Sequence, residues 1–298
     1  MNRREFLGAS AGALAGIGLG AGLTAQAEAA AAGYTLPAGR RKWRKAMVAG
    51  MLPGDMSLDE RFGLAKRAGF DGIEVPPMSE AEAAENREAA ERNGLRIHSV
   101  IYGGWGAPLS SGDDAVVTQG LKEVEGALRA ARVLRADAVL LVPAVVNEGT
   151  SYPDAYERSQ RNIRKLVPLA KELGVVIGIE NVWNNFLLSP VEFARYVDEF
   201  ESPHVRAYLD LGNMVKFGWP EHWVQALGPR IAKVHLKDFR REGNQFVNLR
   251  EGDVNWPLVT DWLVRVGYEG WFTTELGGGD EAYLKDVADR VDAIFAGK

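Results

Sequence analysis

A chain of 298 residues, 46% hydrophobic and 25% charged, has an ordinary globular composition and room for one large barrel or two smaller domains. Its net charge of −5 gives no general attraction for nucleic acid or an anionic membrane and does not repel a neutral or cationic small molecule. The absence of cysteine excludes disulfides, thiolate metal sites and cysteine nucleophiles, so packing must hold the core.

The first thirty residues stand apart. Arg3-Arg4 precede Glu5-Phe6-Leu7, an Ala/Gly-rich apolar stretch runs to Leu23, and Ala25-Gln26-Ala27 has the A-x-A pattern of a cleavage site. The segment resembles a twin-arginine export signal, which implies the twin-arginine translocation machinery as a partner, a periplasmic or other extracytoplasmic destination, and no stable membrane insertion after processing. A retained membrane helix is the alternative, and the many glycines give it little insertion energy. Residues 1–30 are read as the signal, 31–44 as a linker and 45–298 as one folded domain.

From Lys45 onward, short apolar runs alternate with longer amphipathic ones. Strands are expected at Lys45 to Gly50, Gly72 to Val75, Arg96 to Tyr102, Ala138 to Val142, Val176 to Glu180, Val205 to Asp210, Ile231 to Leu236 and Trp271 to Glu275. Between them lie helix starts at Ser57, Ser79, Pro153-Asp154, Ser189-Pro190, Asn255 and Asp280. Gly69, Gly94, Gly174 and Gly267 each stand just ahead of a strand, where a left-handed residue turns the chain back from a helix. Eight βα units in one domain favour a closed (β/α)₈ TIM barrel over a doubly wound sheet. No G-x-G-x-x-G follows the first strand, and Gly103-Gly104-Trp105-Gly106 after the third lacks the helix start that phosphate binding needs, so it is read as a loop over the barrel mouth.

Strands five to eight end in Glu180, Asp210, His235 and Glu275, separated by 30, 25 and 40 residues (180 to 210, 210 to 235, 235 to 275). Only a fold that gathers strand ends brings them together, and a parallel barrel builds its site there. Clustered carboxylates repel one another unless a cation or protons compensate, so the four are expected to hold one divalent metal. Oxygen-rich ligation with one imidazole favours Mn²⁺, Mg²⁺ or Co²⁺ and is compatible with Zn²⁺.

Ile179-Glu180-Asn181, Tyr208-Leu209-Asp210-Leu211-Gly212-Asn213, Val234-His235-Leu236-Lys237-Asp238, Glu251-Gly252-Asp253-Val254-Asn255-Trp256 and Thr274-Glu275-Leu276 resemble the sugar phosphate isomerase/epimerase family of xylose isomerase-like barrels. The resemblance implies that Glu180, Asp210, His235 and Glu275 ligate the metal. It also implies that Glu180 and Glu275 face opposite sides of a sugar substrate as its acid/base pair. A glutamate removes the proton beside a carbonyl to give an enediolate, and where the proton returns decides between epimer and isomer. Ketose 3-epimerases of this superfamily commonly carry a His three residues after the strand-six Asp; here Asn213 can hydrogen-bond a sugar hydroxyl but cannot exchange a proton. Arg241 falls where those enzymes place a substrate-contacting Arg.

Further substrate-binding candidates are Glu74, His98, Trp183 and Lys237. Each has a plainer alternative: a salt bridge for Glu74 and Lys237, a core position for His98. Trp105 and Trp183 could stack on a sugar ring, and Asp238 could orient His235. Trp219 and Trp223 suit a subunit contact or the core equally, so the oligomeric state stays open. Gly277-Gly278-Gly279 lies near the usual barrel phosphate site, but Asp280 beside it would repel phosphate, which favours a non-phosphorylated sugar. The expected function is therefore a metal-dependent isomerase or epimerase acting on a small carbohydrate. The alternatives are a lyase or glycoside-cleaving enzyme acting on a keto sugar, and a non-catalytic sugar-binding barrel. A related DNA-repair endonuclease would need three zincs and more than the four histidines present.

Overall fold

The computed structural model describes residues 42–298; the expected export signal and nearly all of the expected linker lie outside the described residues. Eight strands run parallel in a closed barrel: β1 Arg44–Val48, β2 Gly72–Val75, β3 Arg96–Tyr102, β4 Ala138–Leu141, β5 Val176–Glu180, β6 Val205–Asp210, β7 Ile231–Leu236 and β10 Trp271–Thr274. They close in the order β1-β10-β7-β6-β5-β4-β3-β2. Around them lie α1 Leu58–Ala68, α2 Glu80–Arg92, α3 Asp114–Leu134, α4 Tyr152–Leu173, α5 Pro190–Asp198, α6 Leu211–Val215, α7 Pro220–Leu227, α8 Trp256–Arg265 and α9 Glu281–Phe295.

Local chemistry sets the alternation. Ser57 and Ser79 cap α1 and α2 with full capping boxes, their side chains accepting from Glu60 N and Glu82 N while those glutamates return a bond to the cap. The α4 cap is Ser151, two residues earlier than the expected Pro153-Asp154 start. Gly69 ends α1 at φ +103°, a conformation open to glycine and costly to a branched side chain.

Two elements were not anticipated. The five-residue α6 follows directly on β6, and the hairpin β8 Asp238–Arg240 with β9 Gln245–Val247 follows on β7 and pairs antiparallel. Gly243 and Asn244, at φ 79° and 49°, close the four-residue loop between the paired Arg240 and Gln245. Trp223 proves to be fully packed in the core, leaving only Trp219 exposed among the two surface-contact candidates.

The barrel interior is not uniformly apolar. Gly178, on β5, leaves room for the Tyr208 ring from β6, since a Cβ at Gly178 would come within 2.8 Å of Tyr208 Cδ2. That opening lets the Tyr208 hydroxyl cross to Glu74 on β2, which accepts its hydrogen bond at 2.8 Å. A similar accommodation occurs lower in the barrel. Trp271 packs over Gly72, and His98 stacks on the indole with centroids 4.6 Å apart and planes 7° from parallel.

Candidate active site

Register brings the strand ends together: Asp210 is level with His235 across β6 and β7, and Thr273, two residues before Glu275, is level with His235 across β7 and β10. One donor atom from each of Glu180, Asp210, His235 and Glu275 falls within 4.8 Å of all the others. His235 is the hub. Its Nδ1 lies 3.2 Å from Glu180 Oε1, 2.9 Å from Glu275 Oε2 and 3.9 Å from Asp210 Oδ2, while Nε2 lies 2.9 Å from Glu74 Oε2. With Nε2–H donating to Glu74, the Nδ1 lone pair is aimed at the three acids, the orientation a metal-binding imidazole takes when a carboxylate holds its far side.

Asp210 is fixed from several directions. Its Oδ1 accepts from Asn213 N at 2.7 Å, its own N–H donates to Asn181 Oδ1 at 3.0 Å, and Asn181 Nδ2 donates back to the Asp210 carbonyl at 2.8 Å. Asn213 Nδ2 donates to Asn181 O, and Trp183 Nε1 donates to Asn213 O, both at 3.0 Å. Asn181 thus braces the acid, although nothing in its residue type distinguishes it from a loop asparagine.

Burial and charge act against each other here. Burial pushes Glu180 up to about 7 against the opposing pull of His235. Asp210 is raised as well, because its burial outweighs the nearby Lys237 ammonium. For Glu275 the balance reverses: burial would raise its pKa, but His235 and Lys237 hold it well below the usual carboxylate range. Burial would depress the His235 pKa, yet Glu74, Glu275 and Glu180 outweigh it and hold the imidazole well above its ordinary value.

The donor set fits a divalent cation. Glu180, Asp210 and Glu275 face His235 and Lys237, whose ammonium lies 3.1 Å from Asp210 Oδ2 and 2.8 Å from Glu275 Oε2, and Glu74 holds the far side of the imidazole. Despite that proximity, neither of those two buried oxygens makes a well-formed hydrogen bond. Three carboxylate oxygens and one imidazole nitrogen are the chemistry that Mn²⁺, Mg²⁺ and Co²⁺ accept. A cation entering the metal-free protein must displace protons from His235 and Glu180, so its affinity is expected to rise with pH through the region near 7. Calorimetric titration with Mn²⁺ in buffers of different ionisation enthalpy checks this, and a pH-independent affinity would contradict it. The sign for folding is opposite. Both pKa values are raised, so their contribution to the stability of the metal-free protein is present below the unfolded values of 4.5 and 6.5 and lost as pH rises.

A cavity of about 280 Å³ opens over the cluster, lined by Glu180, Glu275, Lys237, Asn213 and Trp183 among others. Four of the expected site residues sit elsewhere or act differently. Glu74 is completely buried, and Tyr208 and His235 occupy its Oε2, so it supports the imidazole from beneath and does not line the cavity. His98 is also completely buried, held between Trp271 and the Thr273 hydroxyl. Arg241 points away: its Nη2 donates to Gly218 O at 2.6 Å and its backbone N–H to Asp253 Oδ2 at 2.7 Å. Asp238 has no contact with His235. It accepts from Phe239 N, Arg250 N, Val254 N and Trp256 Nε1, tying the hairpin to the loop before α8.

Phe246 and Tyr208 are site residues that sequence patterning missed. Tyr208 had a signal, because it lies two residues before Asp210 on a strand and therefore shares its face. If Glu74 positions His235, Glu74→Gln should weaken metal binding about 10- to 100-fold and leave the fold intact, as measured by metal titration and circular dichroism. Unchanged affinity would count against that role.

A parallel eight-stranded barrel with a buried acid-and-imidazole cluster at the C-terminal strand ends defines a TIM barrel with a candidate metal centre. Residues 62–293 match the xylose isomerase-like TIM barrel family, and the chain belongs to that family. Its relatives include the putative L-ribulose-5-phosphate 3-epimerase SgbU of Escherichia coli K12, 27% identical over 245 residues, covering 76% of this chain and 85% of that protein. L-ribulose-5-phosphate 3-epimerase UlaE of Escherichia coli O1:K1 is 26% identical over 244 residues, covering 76% of this chain and 84% of its own length. Among solved structures, L-ribulose 3-epimerase superposes with a TM-score of 0.74 at 17% identity, over 85% of this chain and 94% of that one. The 3-keto-D-glucoside 4-epimerase YcjR of E. coli gives the same TM-score and identity, over 85% of this chain and 99% of its own. At such identities the solved structures speak to the fold.

Proposed function

We propose that this protein is a metal-dependent sugar epimerase or isomerase that moves a proton on the carbon beside a carbonyl. The observation carrying this reading is the convergence of Glu180, Asp210, His235 and Glu275 under one cavity. The names of the relatives support it, since those proteins are named as epimerases of L-ribulose 5-phosphate, L-ribulose and a 3-keto-D-glucoside.

Glu180, Asp210, His235 and Glu275 would hold the cation, which when bound supplies Lewis-acid polarisation of a carbonyl and its neighbouring hydroxyl. Glu180 and Glu275 belong to the two ends of the arc β5-β6-β7-β10, so they approach a bound sugar from different strands. One takes the proton from the hydroxyl-bearing carbon beside the carbonyl, and the other delivers a proton to the opposite face of that carbon or to the former carbonyl carbon. Lys237 adds positive charge near the developing enediolate, and Asn213 keeps a polar group at the cavity wall without a proton to exchange. The lyase reading shares the first step and differs in what the enediolate expels.

Incubation with ketoses and keto sugars in deuterated water, followed by NMR of the products, distinguishes these outcomes. An inverted centre bearing deuterium is the expected result, a lost substituent would favour the lyase, and absence of exchange across the panel would favour a binding protein.

We further propose that residues 1–30 direct export through the twin-arginine pathway, as Arg3-Arg4 and Ala25-Gln26-Ala27 suggest. Replacing both arginines by lysine should leave the protein unprocessed inside the cell. Processing that is unaffected would refute this.

A further inference from the structure

The cavity above the acid cluster has two unlike halves. Glu180, Glu275, Lys237 and Asn213 form one side, whereas Ile101, Leu140, Val142 and Val182, at or just beyond the ends of β3, β4 and β5, form the other. At the mouth stand Trp105 and Trp183 on the apolar side and Phe246, whose ring centre lies 5.8 Å from the Lys237 ammonium, on the other. A free sugar carries hydroxyls along its whole length, and each one buried against such a wall without a partner loses its hydrogen bonds to water. The wall suits a group rich in C–H or aromatic carbon.

Two of the mouth aromatics, Trp183 and Phe246, form a stacked pair, and Trp105 lines the same cavity. Trp183 is fixed by its bond to Asn213 O, by Phe246 stacked at 5.0 Å and 22°, and by the Lys216 ammonium 4.0 Å from its ring centre. Trp105 lies over Gly103, where a Cβ would meet the indole at 2.8 Å, and remains 53% exposed. Phe246 is 45% exposed, carried to the same cavity by the β8–β9 hairpin. Two large aromatic surfaces exposed at the rim of a cavity mark a place for a ligand ring.

Charge narrows the choice further. Among the described residues lining the cavity the cation is Lys237, and its ammonium is already shared by Asp210 and Glu275. Gly277-Gly278-Gly279 does not form a phosphate cradle over this site: Gly279 N donates to Met51 O, and a Cβ at Gly278 would meet that same oxygen at 2.9 Å. Among the described residues lining the cavity, no cation is therefore left unshared to pair with a sugar phosphate.

We infer that the site takes a neutral keto sugar bearing an apolar, planar substituent, as in an aryl glycoside oxidised to a ring ketone, with the sugar over the acid cluster and the substituent against Trp105 and Phe246. The sugar end rests on the function proposed above; the substituent end rests on the aromatic rim alone.

The test is calorimetric binding to the Mg²⁺-loaded protein of phenyl and methyl β-glycosides of glucose, galactose and xylose, each oxidised to a ring ketone, with phenol and glucose 6-phosphate as comparisons. For at least one sugar the phenyl glycoside should bind about tenfold tighter than the methyl glycoside. Trp105→Ala, a truncation of an exposed side chain, should collapse that ratio and leave the metal content unchanged. A ratio near one for every sugar, no saturable phenyl glycoside binding at millimolar concentration, phenol binding as tightly as its glycosides, or tighter binding of the phosphate would each overturn the inference. Proton exchange on free ketoses with a ratio near one sinks the substituent subsite and leaves the proposed function. The tenfold ratio without proton exchange on any ketose or keto sugar does the reverse.

Discussion

Glu180→Gln is expected to lower the rate of carbon-bound proton exchange by at least about 100-fold, and up to about 10⁴-fold, in a protein that remains folded. The amide keeps an oxygen for a cation and nearly the same volume, but it cannot take a proton at neutral pH. Glu180 sits at the end of β5 with its Oε1 3.2 Å from His235 Nδ1, and burial raises its pKa to about 7. A cation that displaces the Glu180 proton leaves a carboxylate there, the form that can take a proton from carbon. The discriminating comparison is exchange rate against metal content. Metal retained with exchange lost supports a proton-moving role, metal and exchange lost together would reduce Glu180 to a ligand, and full activity would remove it from the chemistry.

His235→Ala should have the largest effect of any single change at the site. It deletes the nitrogen that lies within 3.9 Å of all three acids, and it leaves Glu74, completely buried in the lumen, with only the Tyr208 hydroxyl as a partner. Removing one partner from a buried ionic network typically costs about 3–5 kcal/mol. The expected result is a metal content near zero, no proton exchange, and a clear fall in melting temperature. A variant that binds metal with wild-type affinity would show that the imidazole is not a ligand.

Much of this architecture is legible because local signals and the long-range pattern agree. The eight strand positions follow from short apolar runs, four of them preceded by a glycine that ends a helix, and in the folded chain Gly69, Gly94, Gly174 and Gly267 all adopt positive φ. The ends of β5, β6 and β7 fall where the sequence suggests; β10 stops at Thr274, yet Glu275 N still donates to Leu236 O at 3.2 Å, so the acid keeps its place at the rim. The β8–β9 hairpin is less visible because each strand is only three residues long and the first begins one residue after β7. Its turn residues, Gly243 and Asn244, carried the available signal.

Side-chain roles were harder to read than positions. Glu74 and His98 both stand on barrel strands facing the interior, and sequence periodicity does not say how deep in the lumen each lies. Depth separates a residue that touches a ligand from one that supports another side chain. Glu74 lies beneath His235, reached by Tyr208 only because Gly178 leaves the space. Arg241 follows β8, and the hairpin turns it toward Gly218 and Asp253. Asp238 is likewise redirected, since four donors from the hairpin, the segment before α8 and the first residue of α8 converge on its carboxylate.

The most direct test of the central claim is proton exchange in deuterated water before and after metal removal, followed on one responsive ketose or keto sugar. The signal of the hydrogen beside the carbonyl should disappear in the presence of the metal-loaded protein, persist after chelation, and disappear again when Mn²⁺, Mg²⁺ or Co²⁺ is restored. Exchange that continues at the same rate in protein verified to be metal-free would contradict the account.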